Sequence, residues 1–169
     1  MMKYIALLAA ALLIGADQLI KYWAMESLSQ VGTMPVFGDV FQLTYVENRG
    51  AAFGILQGQK WILVGVTSLV IIGAIIFLLI KNLKSNTLIW AIALIISGGI
   101  GNLIDRIGRG YVVDYLYFKL IDFYVFNLAD ACVCVGVGLV ILYLIFIEPK
   151  LQKQKAQAEI ADGGLSEQK

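Results

Sequence analysis

Four long apolar segments, separated by more polar stretches, dominate the hydropathy pattern of this chain. A helix needs about 20 apolar residues to cross roughly 30 Å of bilayer hydrocarbon, and each segment reaches about that length. Their predicted bounds are 4–23, 61–80, 87–104 and 127–147. The pattern therefore predicts an all-α membrane protein with four transmembrane helices. Lys3 followed by an apolar run would also fit a cleavable signal peptide, but three further segments follow and the first is long enough to cross.

The lysines that flank these segments indicate how the helices are oriented. An even number of spans places both termini on the same side of the membrane. Lys3 precedes the first span, Lys81 and Lys84 lie between the second and third, and a lysine-containing tail, 150–169, follows the fourth. Because positively charged loops favour the cytoplasm, we expect both termini, the 81–86 turn and this polar tail on that side.

Two longer connections, 24–60 and 105–126, then face the opposite side of the membrane. Apolar residues alternate over 39–46 in the first connection, which predicts a strand and adds a small extracytoplasmic β-like region to the expected fold. The second connection is rich in tyrosine and phenylalanine between Tyr111 and Phe126. Tyrosine favours the headgroup interface, so we expect this connection to rest there.

Composition supports a single membrane domain, 1–149, followed by the polar tail. Of the 169 residues, 60% are hydrophobic and 15% are charged, whereas a soluble domain averages about 45–50% and about 25%. The net charge of +1 argues against nucleic acid as a partner. Cys132 and Cys134 are two residues apart on one predicted helix and point to different faces. We expect both to be buried, without a disulfide between them.

The chain contains no histidine, which excludes several kinds of catalytic site. Ser-His and Cys-His nucleophile pairs and the His-Glu-x-x-His metal motif are ruled out. Two cysteines in an apolar context, without histidine, argue against a zinc site, so we expect neither metal nor cofactor. A Ser-Lys dyad is conceivable on paper, but Ser68 and Ser97 have no lysine at helical spacing.

Aspartates at the outward ends of the spans are the main candidates for chemistry: Asp17, Asp105, Asp114 and Asp130. A carboxylate near lipid is costly, so one that is retained there usually has a chemical role or a partner. Two aspartates in close contact share a proton, because both cannot easily ionise. The ionised one could activate water for peptide hydrolysis while the protonated one hydrogen-bonds the carbonyl oxygen.

Spacing alone leaves structural interpretations of these aspartates open. Asn102, Asp105 and Arg106 share one helix face, so Arg106 could neutralise a carboxylate and tie the third span to the loop. Asp130 could be a favourable charge at a helix N-terminus. Asp114 could be a loop aspartate in water.

Four sequence blocks resemble those of the bacterial lipoprotein signal peptidases, also called signal peptidase II, and occur in that family's order. They are Asp17–Lys21, Asn48–Phe53, Gly101–Arg106 with Val112–Asp114 close behind, and Phe126–Asp130. The resemblance implies an aspartic endopeptidase within the membrane, with Asp114 and Asp130 as its catalytic pair. The chain departs from the family's usual pattern at Tyr115, where phenylalanine is common, and after Asp130, where serine is frequent.

The resemblance also implies roles for the other motif residues. Positions expected to shape the site or contact substrate are Asn48, Gly50, Asn102, Asp105, Arg106 and Asn127, whereas Asp17 and Lys21 are expected to be structural. The implied substrate is a prolipoprotein, cut on the amino side of a diacylglyceryl-modified cysteine, with its lipid chains between the spans. By default we expect a monomer. We expect it in the bacterial inner membrane, with the active site near the extracytoplasmic face.

Two other functions would fit a small protein of membrane helices. A transporter or proton relay would also retain carboxylates, but here they gather at one membrane face and no internal repeat is evident. A non-enzymatic assembly factor would rely on close helix packing, for which the suitable residues are Gly98, Gly101, Gly136 and Gly138.

Overall fold

The computed structural model describes residues 1–51, 55–153 and 157 of the chain. Within these residues it contains four helices that are long and apolar enough to cross a membrane. They are α1 (Met2–Val31), α2 (Lys60–Ile80), α3 (Asn86–Gly108) and α4 (Leu128–Lys153). Large apolar side chains such as Leu12 and Leu69 stay exposed on the outer faces, as expected of a surface covered by lipid. The predicted four-helix membrane fold is confirmed.

Three of the helices extend beyond the predicted spans. α1 continues past residue 23 through a π-helical turn, Ala24–Leu28, so the predicted connection 24–60 begins as helix. α3 continues to Gly108 and α4 to Lys153. Hydropathy misses the end of α1 because protein packing, not lipid, stabilises it. Most of the predicted tail 150–169, including Lys155, lies outside the described residues, as do Ala52 and Phe53 of the second motif block.

Helix α3 forms the centre of the bundle, and α1, α2 and α4 each pack against it. Glycines allow the closest approach. A Cβ at Gly98 would overlap the carbonyl oxygen of Ala129 on α4, and one at Gly136 would overlap that of Ala91 on α3. The packing role expected for these glycines is confirmed. It is wrong for Gly138, which has open space around it.

The connections at one end of the bundle form a three-stranded antiparallel sheet with the order β1-β2-β3. The strands are β1 (Thr33–Phe37), β2 (Phe41–Asn48) and β3 (Val112–Tyr117). β2 overlaps the strand predicted over 39–46 and lies two residues further along. Val46 pairs with Asp114 and Asn48 pairs with Val112, so the second motif block lies beside the third.

The third strand, β3, was not expected from the sequence. Its first four residues are buried, so the strand lacks the apolar–polar alternation by which a half-buried strand is recognised. Tyr115, which lies in the aromatic connection expected at the headgroups, is only 3% exposed. It packs with Ala24, Leu28 and Val113 in a cluster that joins the end of α1 to the sheet. The sheet is therefore attached to the end of α1 through these apolar contacts.

The two cysteines on α4 differ in their exposure. Cys132 is buried and Cys134 is exposed, and both are free thiols. The prediction of burial is confirmed for Cys132 and wrong for Cys134. Residues two apart on a helix point in nearly opposite directions. Only one of the two side chains can therefore face the protein interior.

Candidate active site

The first turn of α4 is held by side chains from three other parts of the chain. Asn127 is the N-cap: its Oδ1 accepts the N–H of Asp130 at 2.9 Å, and the Asp130 carboxylate accepts the N–H of Asn127 at 3.2 Å. The N–H of Leu128 donates to the phenolic oxygen of Tyr115 at 3.2 Å. The N–H of Ala129 donates to an Asp17 carboxylate oxygen at 3.0 Å. These contacts satisfy backbone donors that a helix start leaves free and fix the position of Asp130.

Asp114 lies in β3 and is 1% exposed. Its Oδ1 accepts a hydrogen bond from Asn127 Nδ2 at 2.6 Å, and its Oδ2 accepts one from Asn48 Nδ2 at 3.0 Å. Asn127 thus contacts both aspartates, through its side-chain amide and through the helix cap. Asp114 and Asp130 therefore lie at the same site, linked through Asn127, and Asn48 lies beside Asp114.

The environment of Asp114 favours its protonated form. Burial raises the pKa of Asp114, and the nearby Asp130 carboxylate raises it further, to about 7, although hydrogen bonds from Asn48 and Asn127 and the charge of Lys21 act in the opposite direction. A carboxyl group with this pKa is substantially protonated at neutral pH. It can therefore donate a hydrogen bond to a substrate carbonyl while a neighbouring carboxylate stays ionised.

A buried ion cluster lies next to the two aspartates. The Nζ of Lys21 is 2.9 Å from Asp17 Oδ2, 3.0 Å from Asp105 Oδ2 and 2.8 Å from Asn102 Oδ1. Lys21 and Asp105 are both 0% exposed. The Nδ2 of Asn102 in turn donates to Asp130 Oδ1 at 2.6 Å. The cluster thus connects α1 and α3 to the first turn of α4.

Asp105 does not form an ion pair with the adjacent Arg106, which the sequence left open as a cation that could neutralise a carboxylate. Its ion-pair partners are Lys21 and Arg109, and it also accepts the backbone N–H of Val113 at 3.2 Å. Adjacent residues on a helix point about 100° apart, so Asp105 faces α1 and Arg106 does not. Gln18, which donates to Asp105 at 3.2 Å and accepts from Arg109 at 3.3 Å, also belongs to this cluster.

Arg106 and Gly50 connect the third span to the connection after β2. A guanidinium nitrogen of Arg106 donates to the carbonyl oxygen of Gly50 at 3.0 Å, so the tie expected between Arg106 and the loop is present. The N–H of Gly50 donates to Asn48 Oδ1 at 2.9 Å. A Cβ at this position would lie 2.8 Å from the carbonyl oxygen of Ile55, which explains why glycine is required.

A cavity of about 620 Å³ opens beside the two aspartates. Asp114, Asp130, Asn48, Asn102 and Arg106 line its polar end. The rest of the wall comes largely from apolar residues of α2, α3 and α4: Val66, Val70, Ile71, Ile95, Gly99 and Val133. The cavity is therefore suited to a ligand with one polar group and a long apolar part.

Sequence reasoning missed the contributions of Tyr115, Gln18 and Arg109. Gln18 lies inside the first motif block, and Tyr115 directly follows Asp114. The sequence could therefore have drawn attention to both residues, but it does not show which groups they contact. Among the described residues, no group of three or more His, Cys, Asp and Glu side chains is arranged to hold a metal ion.

Two carboxyl groups that face one cavity among membrane-spanning helices are the arrangement that an integral membrane peptidase of the aspartic type requires. Comparison with known proteins specifies the family. The family model for signal peptidase (SPase) II matches residues 9–146, and the chain belongs to the signal peptidase II family.

Individual relatives support this assignment. The chain is 46% identical over 144 residues to a lipoprotein signal peptidase of Clostridioides difficile (strain 630), covering 85% of this chain and 97% of the relative. It is 50% identical over 145 residues to one from Streptococcus thermophilus (strain CNRZ 1066), covering 85% and 94%. Two solved structures of bacterial membrane enzymes, each 30% identical, superpose with TM-scores of 0.78 and 0.76. They cover 83% and 85% of this chain and 87% and 94% of their own chains.

Proposed function

We propose that this peptidase removes signal peptides from prolipoproteins, cutting on the amino side of a diacylglyceryl-modified cysteine. The main support for this proposal is that Asp114 and Asp130 line the same cavity and that the rest of the cavity wall is largely apolar. The curated relatives are lipoprotein signal peptidases, and this activity matches a cavity with a polar end and an apolar extension.

In the proposed mechanism Asp114 and Asp130 form the catalytic pair and share one proton. The ionised carboxylate takes a proton from water as the water oxygen bonds to the scissile carbonyl carbon. The protonated carboxyl gives its proton to the carbonyl oxygen, so a neutral gem-diol forms. The carbon–nitrogen bond then breaks as the first carboxyl protonates the leaving amine, and a gem-diol proton returns to the second. No covalent intermediate, metal or cofactor takes part.

The surrounding residues orient this pair and its substrate. Asn48, Asn102 and Asn127 donate hydrogen bonds to the two aspartates. We propose that Gly50, Arg106 and Asp105 shape the site. We propose that Asp17 and Lys21 stabilise it. The contacts of Asp105 support a more structural role than the sequence suggested. Its oxygens pair with Lys21 and Arg109 and accept the N–H of Val113 in β3.

The acyl chains of the substrate are proposed to lie along the apolar wall between α2 and α4. Binding energy from these chains would position the scissile bond at the aspartates. We therefore expect an unlipidated precursor to be cut poorly. The protein would act as a monomer within the lipid bilayer, without nucleic acid, since one chain supplies both aspartates and the cavity.

The proposed location is the bacterial inner membrane, with both termini in the cytoplasm and the site near the extracytoplasmic face. The aspartates lie where α1 and α3 end and α4 begins, whereas Lys81 and Lys84 lie between α2 and α3 at the opposite end of those helices. Lys3 donates to the carbonyl oxygen of Leu79 at 3.0 Å, so the basic start of α1 lies at that opposite end. Residues 1–149 would form the peptidase domain, followed by the cytoplasmic tail.

The test is cleavage of a diacylglyceryl-cysteine prolipoprotein by the purified full chain in detergent. We expect Asp114→Asn and Asp130→Asn each to abolish cleavage while leaving the helical content unchanged. Asp39→Asn is the matched control, because Asp39 is 89% exposed and pairs with Lys119 away from the cavity, and it should cleave normally. Full activity in either site variant, or equal turnover of an unlipidated precursor, would contradict the proposal.

A further inference from the structure

A second cavity lies at the end of the bundle opposite the two aspartates. It has a volume of about 150 Å³ and opens where α1 begins, α2 ends and α3 begins. Its polar lining residues are Lys3, Lys81, Asn82 and Asn86, and the buried Leu78 is one of its apolar ones. Among the described residues, no aspartate or glutamate lines it. The cavity is therefore positively charged, and it shares no lining residue with the larger cavity.

The two lysines of this cavity lack a negatively charged partner. None of the ion pairs within the described part of the chain includes Lys3 or Lys81, whereas the buried Lys21 contacts two carboxylates. The ammonium group of Lys3 donates to the carbonyl oxygen of Leu79 at 3.0 Å and lies 5.6 Å from the ring centre of Tyr4. Neither contact supplies a full negative charge. The first uses one of three N–H donors and holds this ammonium group at the end of α2, which Lys81 directly follows.

The side chains that line the cavity match the chemistry of a phosphate group. An ammonium group and the NH₂ group of an amide are hydrogen-bond donors, and phosphate oxygens are strong acceptors. Within the described residues, no hydrogen bond or ion pair engages the side chains of Lys81, Asn82 and Asn86, so their donors are available to a ligand. A water molecule occupies roughly 30 Å³, so the cavity, at about 150 Å³, has room for a phosphate with its ester carbon atoms.

The position of the cavity favours a phospholipid over a soluble anion. The cavity lies at the ends of three membrane-spanning helices, and the headgroup region of a bilayer begins where such helices leave the hydrocarbon. Ile80 directly precedes Lys81, Ile5 follows Lys3 by two residues, and both isoleucines are exposed. They offer acyl chains an apolar surface close to the two lysines. Basic pockets between membrane helices are typical binding sites for anionic lipid headgroups.

We propose that this cavity binds the phosphate of an anionic phospholipid from the leaflet at this end of the bundle. Lys3 and Lys81 are its cations, and Asn82 and Asn86 are its amide donors. Helices α1 and α2 each pack against α3 but have little contact with each other. A phosphate held by Lys3 on α1 and by Lys81 after α2 joins these two helices. The bound lipid is thus a structural ligand, separate from the peptidase site.

The test measures lipid binding to the full chain by native mass spectrometry from detergent micelles. Phosphatidylglycerol is titrated against phosphatidylcholine with the same acyl chains, and the wild type should bind the anionic lipid more tightly. We expect Lys81→Gln to weaken phosphatidylglycerol binding about fivefold, and its combination with Lys3→Gln to weaken it about thirtyfold. Lys84→Gln is the matched control, because Lys84 lies in the same turn but does not line the cavity. Its affinity should stay close to that of the wild type.

A second variant tests the cavity without removing a lysine. Asn82→Asp places a carboxylate beside the two lysines, so the protein should stay folded and lose its preference for phosphatidylglycerol over phosphatidylcholine. Retention of that preference would contradict the proposal, as would equal binding of the two lipids by the wild type. Equal losses in Lys81→Gln and Lys84→Gln would reveal a general surface attraction and no site. Inorganic phosphate is titrated in the same assay, and binding as tight as that of the lipid would identify a soluble anion as the occupant and overturn the assignment to a phospholipid.

Discussion

The backbone N–H of Leu128, at the first position of α4, donates to the buried phenolic oxygen of Tyr115 at 3.2 Å. This contact joins the residue after Asp114 to the helix that carries Asp130. A phenylalanine at this position could not make it. In this chain the strand and the helix that bear the two aspartates are therefore connected directly, in addition to their connection through Asn127.

Replacing Tyr115 with phenylalanine should weaken this connection without preventing folding. The variant leaves the partly buried N–H of Leu128 without its acceptor, and the net contribution of such a hydrogen bond is about 0.5–1.5 kcal/mol. We expect the free energy of unfolding in mixed micelles to fall by about that amount. Tyr117→Phe is the control, because its hydroxyl contacts Asp122 in the exposed connection. Equal stability of Tyr115→Phe and the wild type would show that the contact contributes nothing.

Cleavage should depend on pH in a way set by Asp114. With a pKa raised to about 7 by burial and by the Asp130 carboxylate, Asp114 is protonated below this pH and ionised above it. Ionisation removes the hydrogen-bond donor for the substrate carbonyl, so kcat/KM should fall as the pH rises through about 7. The profile is measured with lipidated substrate in the wild type and in Asp39→Asn, which should behave alike. A rate that stays constant to about pH 9 would contradict protonated Asp114 as a catalytic acid.

Close packing at Gly101 should be essential to the ion cluster. A Cβ there would lie 2.7 Å from Asp17 Oδ2 and 3.1 Å from Ala129 Cβ, so Gly101→Ala must displace the start of α4 or the carboxylate that holds it. We expect a loss of about 1–3 kcal/mol in the free energy of unfolding and reduced cleavage. Gly138→Ala is the matched control on α4, where a Cβ meets nothing within 4 Å. It should be neutral or should stabilise the helix by up to about 1 kcal/mol. If the two variants behaved alike, the packing argument would be wrong.

The sequence predicted the helices well because a helix that crosses lipid must be apolar along about 20 residues. Such a segment is visible directly in the hydropathy pattern. It did not predict β3, since burial of its first four residues removes the alternation that identifies a strand. The ion-pair partner of Asp105 on another helix could not be predicted from the sequence either, because helix geometry directs Asp105 to Lys21 on α1. That ion pair joins residues on two different helices, and no local pattern could indicate it.

The proposed catalytic role of Asp114 and Asp130 could not be decided from spacing. Each has a plausible local explanation, and the structure shows that one of these is also true: Asp130 lies in the first turn of α4, where its carboxylate accepts the N–H of the N-cap residue Asn127. The resemblance to a family supplied the pairing, and the geometry now supplies a physical reason for it, since Asn127 contacts both carboxyl groups.

The saturated first turn of α4 has a consequence for how a reaction can be accelerated here. Many hydrolases stabilise the negative oxygen of their transition state with unoccupied backbone amides at a helix start, and such amides work at any pH. In this chain the amides of that turn already bind Tyr115, Asp17 and their own cap. In the proposed mechanism, assistance to the carbonyl oxygen comes instead from a carboxyl proton, which can dissociate. Acceleration by the proposed mechanism is thus tied to the acidity of the site's surroundings.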